Sequence, residues 1–171
     1  MVKQKRFFWL ALLSGTLLIS AFFWIEQERR NILKIGDSIP QISYLTRNGL
    51  DILAADSTRI QMLMYFNRNC DHCLYQLDLF EKNIALFQNQ KFIFLTSEAK
   101  FISTGQESRW SILSTRGNCI FGMIPGNEFL NAFGTISTPV IFIFNRRGIL
   151  TGKFTGEIKL DKIKQVLETV N

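Results

Sequence analysis

An α/β fold, with helices packed on a central mixed sheet, is predicted by three features of the sequence. Two near-continuous apolar runs of strand length, IQMLMYF at 60–66 and KFIFLT at 91–96, bracket a segment with helical periodicity. That order implies a parallel strand pair joined by a right-handed crossover. A third apolar run, at 140–144, is followed by an Arg147-Gly148 turn, a strand at 149–155 that pairs back, and an amphipathic helix at 159–168. The order is βαβ followed by ββα around one sheet.

With 171 residues, 47% of them hydrophobic, the chain has enough apolar side chains for one packed domain plus an appendage. The net charge of +6 is concentrated at the front. Five of the 20 basic residues and only two acids, Glu26 and Glu28, lie in the first thirty positions, which leaves +3 from Asn31 onward. No Lys/Arg stripe with interleaved aromatics is present, which argues against nucleic acid as a partner.

The first element is residues 7–25, FFWLALLSGTLLISAFFWI, which carry no charge. As a helix rising 1.5 Å per residue they reach about 28 Å, close to the ~30 Å hydrocarbon core of a bilayer. Trp9 and Trp24 stand near the two ends, and Lys3, Lys5 and Arg6 precede the span. An uncleaved transmembrane anchor is expected, with residues 1–6 cytoplasmic, a polar linker at 26–35 and the folded domain at 36–171. A cleaved signal peptide is the alternative, but Ile19 sits badly at the −3 position of a site around Ser20-Ala21. No cysteine near the end of the span could serve as a lipid attachment point. Orientation is weakly encoded, since Arg29, Arg30 and Lys34 after the span match the three cations before it.

Residues 35–49, IGDSIPQISYLTRNG, read as extended chain with turns at Pro40 and Asn48-Gly49. The strand at 60–66 follows. A helix is predicted from about Cys70, because Cys73, Leu77, Phe80, Ile84 and Phe87 recur at spacings of four and three and form one apolar stripe. Asn69 is its expected N-cap. Beyond the strand at 91–96, Thr104-Gly105-Gln106-Glu107 has capping-box spacing ahead of Trp110 and Leu113 and predicts a short helix. Another is expected over 126–133, ending at Gly134.

The chemistry-bearing pattern is Cys70-Asp71-His72-Cys73 at the helix start. A structural zinc site needs four ligands, and the rest of the chain supplies only Cys119, while the single histidine, His72, lies between the pair and is badly placed to join it on one metal. Copper delivery would need a further soft or imidazole ligand, and there is no other histidine. No metal is expected. A static disulfide across two residues removes little chain entropy and so stabilises little. A helix N-terminus, by contrast, presents free N–H groups and a positive dipole end that favour a thiolate at Cys70, with Cys73 one turn on within disulfide reach. His72, if protonated, works in the same direction, and Asp71 opposes it. Cys119, in RGNCIFG, reads as a small buried hydrophobe, with a regulatory or partner-linking thiol as the alternative.

Strand, C-x-x-C at a helix start, second strand, then Thr138-Pro139 opening the third strand resembles the thioredoxin-like family. The segments Gly36-Asp37-Ser38-Ile39-Pro40 and Gly134-Thr135-Ile136-Ser137-Thr138-Pro139 are similar to the G-D-x-x-P and G-x-x-x-T-P segments of its membrane-anchored, extracytoplasmic TlpA-like or ResA-like branch. The likeness covers about residues 34–170. It implies a thioredoxin-like fold, a cis Pro139 lying against the cysteines, and a Thr138 whose backbone pairs with the bound substrate chain. Two features depart from the family pattern. Asn69 stands where thioredoxins commonly have tryptophan, and Met64 where they have a buried acid that accepts a proton from the second thiol. Gln76 and Asp78 replace the Glu and Pro often found after the second cysteine in the anchored branch.

The expected function is therefore a membrane-tethered thiol:disulfide oxidoreductase facing the periplasm or cell exterior. Cys70 and Cys73 would form a redox-active disulfide with no other cofactor. The implied partners are cysteine-containing extracytoplasmic proteins and a membrane or periplasmic redox partner. The contrasting expectation is a non-catalytic thioredoxin-like binding module whose disulfide is static. A peroxidase is the weakest, since no peroxidase-type threonine precedes Cys70 at the usual spacing.

Overall fold

The computed structural model describes residues 15–22, 24, 32–103 and 106–170. The chain divides into two compact units, Met1–Ile32 and Leu33–Asn171. In the first, residues 15–22 are helical. The expected cytoplasmic segment 1–6, much of the 7–25 span and most of the 26–35 linker lie outside the described residues. Among the described residues no helix is long and apolar enough to cross a membrane.

The second unit is built on β3 (Ile60–Tyr65), whose six residues are all buried. It runs parallel to β4 (Gln90–Thr96) and antiparallel to β6 (Val140–Phe144). The crossover between β3 and β4 is α1 (Asp71–Asn83), extended by a 3-10 turn at Ile84–Phe87. Every member of the predicted stripe, Cys73, Leu77, Phe80, Ile84 and Phe87, is buried. β7 (Leu150–Thr155) pairs antiparallel with β6, and α5 (Leu160–Thr169) follows it. The hairpin β1 (Ser43–Thr46) and β2 (Gly49–Ile52) joins through β5 (Cys119–Met123), giving a seven-stranded sheet in the order β2-β1-β5-β4-β3-β6-β7.

β5 is the strand that the sequence conceals. Gly122 breaks its apolar run, and the break has a packing cause. A Cβ there would lie 2.5 Å from Tyr44 Cδ2, so the glycine makes room for the tyrosine ring of the neighbouring strand. Between β4 and β5, the segment expected to hold one helix contains α2 (Ala99–Ser103), a 3-10 turn (Gln106–Trp110) and α3 (Ser111–Thr115). Of the proposed capping box, Thr104 and Gly105 lie outside the described residues. α3 is instead capped from a distance: Ile112 and Leu113 donate their backbone N–H groups to the Glu81 carboxylate on α1, each at 2.9 Å. α4 (Gly126–Phe133) ends at Gly134, whose φ of 68° is the left-handed helix stop that favours glycine.

Alternation along the strands divides the core between the two faces of the sheet. Met62, Met64, Phe92 and Phe94 face α1 and α5, whereas Leu63, Tyr65, Ile93 and Leu95 face α4. Phe80 on α1 meets Phe92 at 5.2 Å and Phe87 at 6.0 Å, both edge to face. Fully burying such a side chain contributes about 1.5–3 kcal/mol, so this aromatic cluster fixes α1 firmly on the sheet.

Candidate active site

The parallel strands β3 and β4 end on the same edge of the sheet, and the Cys70 loop leaves from there. Phe66 donates its N–H to Leu95 O at 2.9 Å, which carries the pairing one residue beyond β3. The chain then turns through Asn67, whose side-chain carbonyl accepts the Asn69 N–H at 2.7 Å and whose backbone carbonyl accepts the Cys70 N–H at 3.2 Å. Arg68 is ion-paired with Glu98 at 2.7 Å, and Glu98 also accepts the Arg68 backbone N–H at 3.2 Å. Two independent anchors thus fix the loop that presents Cys70.

Asn69 is not the N-cap of α1. Cys70 is: its backbone is extended, at φ −105° and ψ 109°, and its sulfur accepts the Cys73 N–H at 3.4 Å. The turn bonded through Asn67 ends at Cys70, so the first helical N–H groups face the Cys70 sulfur rather than the asparagine amide. The geometry thereby gives Cys70 a direct hydrogen-bond donor as well as the helix dipole.

Cys70 is half-buried and Cys73 wholly buried, and all three cysteines are free thiols. Burial pushes the Cys73 thiol up to about 12, with the neighbouring Cys70 adding to the rise and the polar groups of Asn67 and Thr138 partly offsetting it. Cys73 packs in the same apolar cluster as Met64, Phe66 and Leu77. Among the described residues the buried polar side chains other than the tyrosines Tyr44 and Tyr65 are Gln61, Gln76 and Thr96, so no carboxyl, imidazole or amine is buried there.

Thr138 and Pro139 come to the pair from β6. The Thr138–Pro139 peptide bond is cis, and the Cys70 thiol donates to the Thr138 carbonyl at 3.7 Å. Cys70, Cys73, Thr138 and the loop at Asn67 therefore form one constellation. An open groove of about 490 Å³ continues from it, lined by Phe66, Ser97, Asn127, Leu130, Ile136 and Thr138 among others.

His72 and Asp71 are exposed. His72 Nδ1 pairs with Glu157 Oε1 at 2.5 Å, and one turn further on Gln76 Oε1 accepts the Ile158 N–H at 2.9 Å. The loop after β7 is thus held against α1 at two points. Glu157, Glu98 and Asn67 are absent from the sequence-based set of site residues. Asn67 alone had a local signal, as a turn-forming residue shortly before the motif. Cys119 begins β5 opposite Phe92, toward the other end of the sheet, and lines a separate groove beside the β1–β2 hairpin. Burial pushes its thiol up to about 12 as well. Among the described residues, no group of three or more His, Cys, Asp or Glu side chains could hold a metal ion.

No family model matches the chain, and no curated protein matches it. Solved structures do. The chain is similar to a peroxiredoxin-like protein from Aquifex aeolicus, with TM-score 0.66 and 14% identity over 80% of this chain and 88% of that one. It is similar to a thiol:disulfide interchange protein, a thioredoxin family protein, from Chlorobium tepidum, with TM-score 0.60 and 16% identity over 80% and 97%. It also resembles the exposed lipoprotein thioredoxin Etrx1 of Streptococcus pneumoniae, with TM-score 0.58 and 16% identity over 75% and 98%. At these identities the likeness establishes a thioredoxin-like fold, in agreement with the mixed sheet and its flanking helices.

Proposed function

We propose that this chain is a thiol:disulfide oxidoreductase of the membrane-anchored TlpA-like or ResA-like branch, working through Cys70 and Cys73. One observation carries the reading: a half-exposed cysteine caps the helix that its buried partner occupies one turn later, with the Thr138 carbonyl against the first sulfur. Cys70, as thiolate, attacks a substrate disulfide and displaces one substrate thiol. Cys73 then attacks the Cys70 sulfur, forming the Cys70–Cys73 disulfide and releasing the second thiol. Two electrons pass to the substrate, and the reverse sequence oxidises a dithiol. Which direction prevails depends on the potential of the partner that recharges the pair.

The proposed setting is the outer side of a bacterial cytoplasmic membrane, where disulfides persist. The uncharged stretch 7–25 supports a single-pass tether, and the likeness to a protein named as an exposed lipoprotein is consistent with that side. The proposed partners are extracytoplasmic proteins with reactive cysteines and a membrane or periplasmic reductant or oxidant.

A static bridge is the second reading, and the apolar burial of Cys73 favours it, because a resolving thiol that ionises only with difficulty exchanges slowly. Equilibration in graded thiol–disulfide buffers separates the two. An exchanging pair gives a reduction potential above about −300 mV, and a structural bridge one below it.

A further inference from the structure

If the oxidoreductase reading holds, the groove beside Cys70 selects what the pair exchanges with. Tyr65, the last residue of β3, is buried, and its ring stacks on Phe129 of α4 with centroids 3.9 Å apart and planes 11° from parallel. Its hydroxyl has no hydrogen-bond partner among the described residues. Phenylalanine would stack equally well, and a buried hydroxyl without a partner is costly, so packing does not account for the phenol. The hydroxyl comes up beside Gly126, the first residue of α4, where a Cβ would lie 3.5 Å from it. Gly126 is not in the left-handed region, so its backbone does not require glycine; the missing side chain leaves the phenol open to the groove that both residues line.

The groove joins the cysteine site through Asn67 and Thr138, which line it and whose backbone carbonyls accept from Cys70. Its outer walls include the exposed Leu130 on α4 and Ile136 ahead of the cis bond, and no charged side chain lines it. We propose that it takes the stretch of an extended polypeptide next to the substrate cysteine, that it selects a large apolar residue there, and that Tyr65 donates a hydrogen bond to a backbone carbonyl of that stretch. A substrate cysteine bonded to Cys70 leads its neighbouring residue directly into this space. An aliphatic side chain there covers Leu130 and Ile136, whereas a charged one would lose hydration with no counter-ion to replace it. The carbonyl is the acceptor that every extended chain offers beside its side chains, and the phenol is the donor left open to meet it.

The test uses the reduced full chain carrying Cys119→Ser and mixed disulfides of nitrothiobenzoate with mercaptoethanol or with short single-cysteine peptides that place Leu, Asp or Lys beside the cysteine. Cys70 attacks the thiol or peptide sulfur, the bond to nitrothiobenzoate breaks, and the coloured anion leaves with the electron pair. Each rate is divided by that of the same disulfide with free mercaptoethanol, which removes intrinsic reactivity. The Leu peptides should react about tenfold or more faster than the Asp and Lys peptides. Tyr65→Phe should slow the Leu peptides by about three- to tenfold and leave the mercaptoethanol compound unchanged. Gly126→Ala, which covers the phenol, should act the same way, and Leu130→Asn with Ile136→Asn should erase the preference for Leu. Equal rates for the Leu, Asp and Lys peptides overturn the proposal. So does a Tyr65→Phe protein that reacts with the Leu peptides as the parent does, or that slows on all the disulfides alike. A parent that releases no anion from the mercaptoethanol compound overturns the exchange reading itself, and the groove's role with it.

Discussion

His72 Nδ1 lies 2.5 Å from Glu157 Oε1, joining the first turn of α1 to the loop after β7 across 85 positions of sequence. Both side chains are well exposed, so the pair contributes at most about 1 kcal/mol to stability. Its consequence lies in charge beside Cys70 and Cys73. A protonated His72 near the start of α1 stabilises the reduced form through the Cys70 thiolate, and the Glu157 carboxylate offsets that charge. His72→Ala should make the reduction potential more negative by roughly 10–30 mV, and Glu157→Gln should shift it the other way. Redox titration of the three proteins checks the opposite signs, and shifts of the same sign would show that the pair acts through loop position instead.

Cys73 supplies a pH dependence whose sign follows from its burial. Its thiol is raised from 9.0 to about 12, so between those values the folded chain holds a proton that the unfolded chain has lost. The protonated thiol therefore favours the folded state fully below pH 9.0, and the advantage disappears as pH rises toward 12. Denaturation of the reduced protein against a Cys73→Ala variant should give a stability difference that is flat below that lower value and falls above it. A difference that stays constant on the alkaline side contradicts the burial.

Gly122 sits under the Tyr44 ring, with a prospective Cβ 2.5 Å from one ring carbon and 3.0 Å from Leu95 Cδ2. Gly122→Ala forces the β1–β2 hairpin and β5 apart and should cost about 1–3 kcal/mol in chemical denaturation. Gly122 pairs with Leu95 at the same end of the strands as the Cys70 loop but two strands away from β3, so disulfide exchange should change less than stability does. Equal stability of variant and parent would mean that the tyrosine moves aside freely.

The topology of the tether has its own measurement. A reporter active only outside the cytoplasm, fused after Asn171, should be active if the span at 7–25 is an anchor with its amino terminus inside. Activity from a cytoplasmic reporter alone would reverse the orientation.

What was legible in the sequence was what local periodicity encodes. The α1 stripe from Cys73 to Phe87, the apolar strands read at 60–66 and 91–96 and found at Ile60–Tyr65 and Gln90–Thr96, and the helix stop at Gly134 each depend on residues within a few positions of one another. Long-range partners leave no such trace. Glu81 caps α3 across 31 positions, and nothing around Glu81 or Ile112 in the sequence announces it. β5 was hidden by a glycine whose purpose is visible only once Tyr44 lies over it. At the site the motif located both sulfurs, but the capping atom was misplaced by one residue: a cysteine sulfur took the role expected of the Asn69 amide.

The most direct measurement of the exchange chemistry is the trapping of its intermediate. Cys73→Ser removes the resolving thiol and leaves Cys70 capping the helix, so the mixed disulfide between Cys70 and a substrate cysteine should accumulate. Non-reducing gels of cells expressing the full-length variant should show heavier bands that collapse on reduction, vanish with Cys70→Ser and persist with Cys119→Ser. Bands that depend on Cys119, or no adduct in the Cys73→Ser protein, would contradict a redox centre at Cys70 and Cys73.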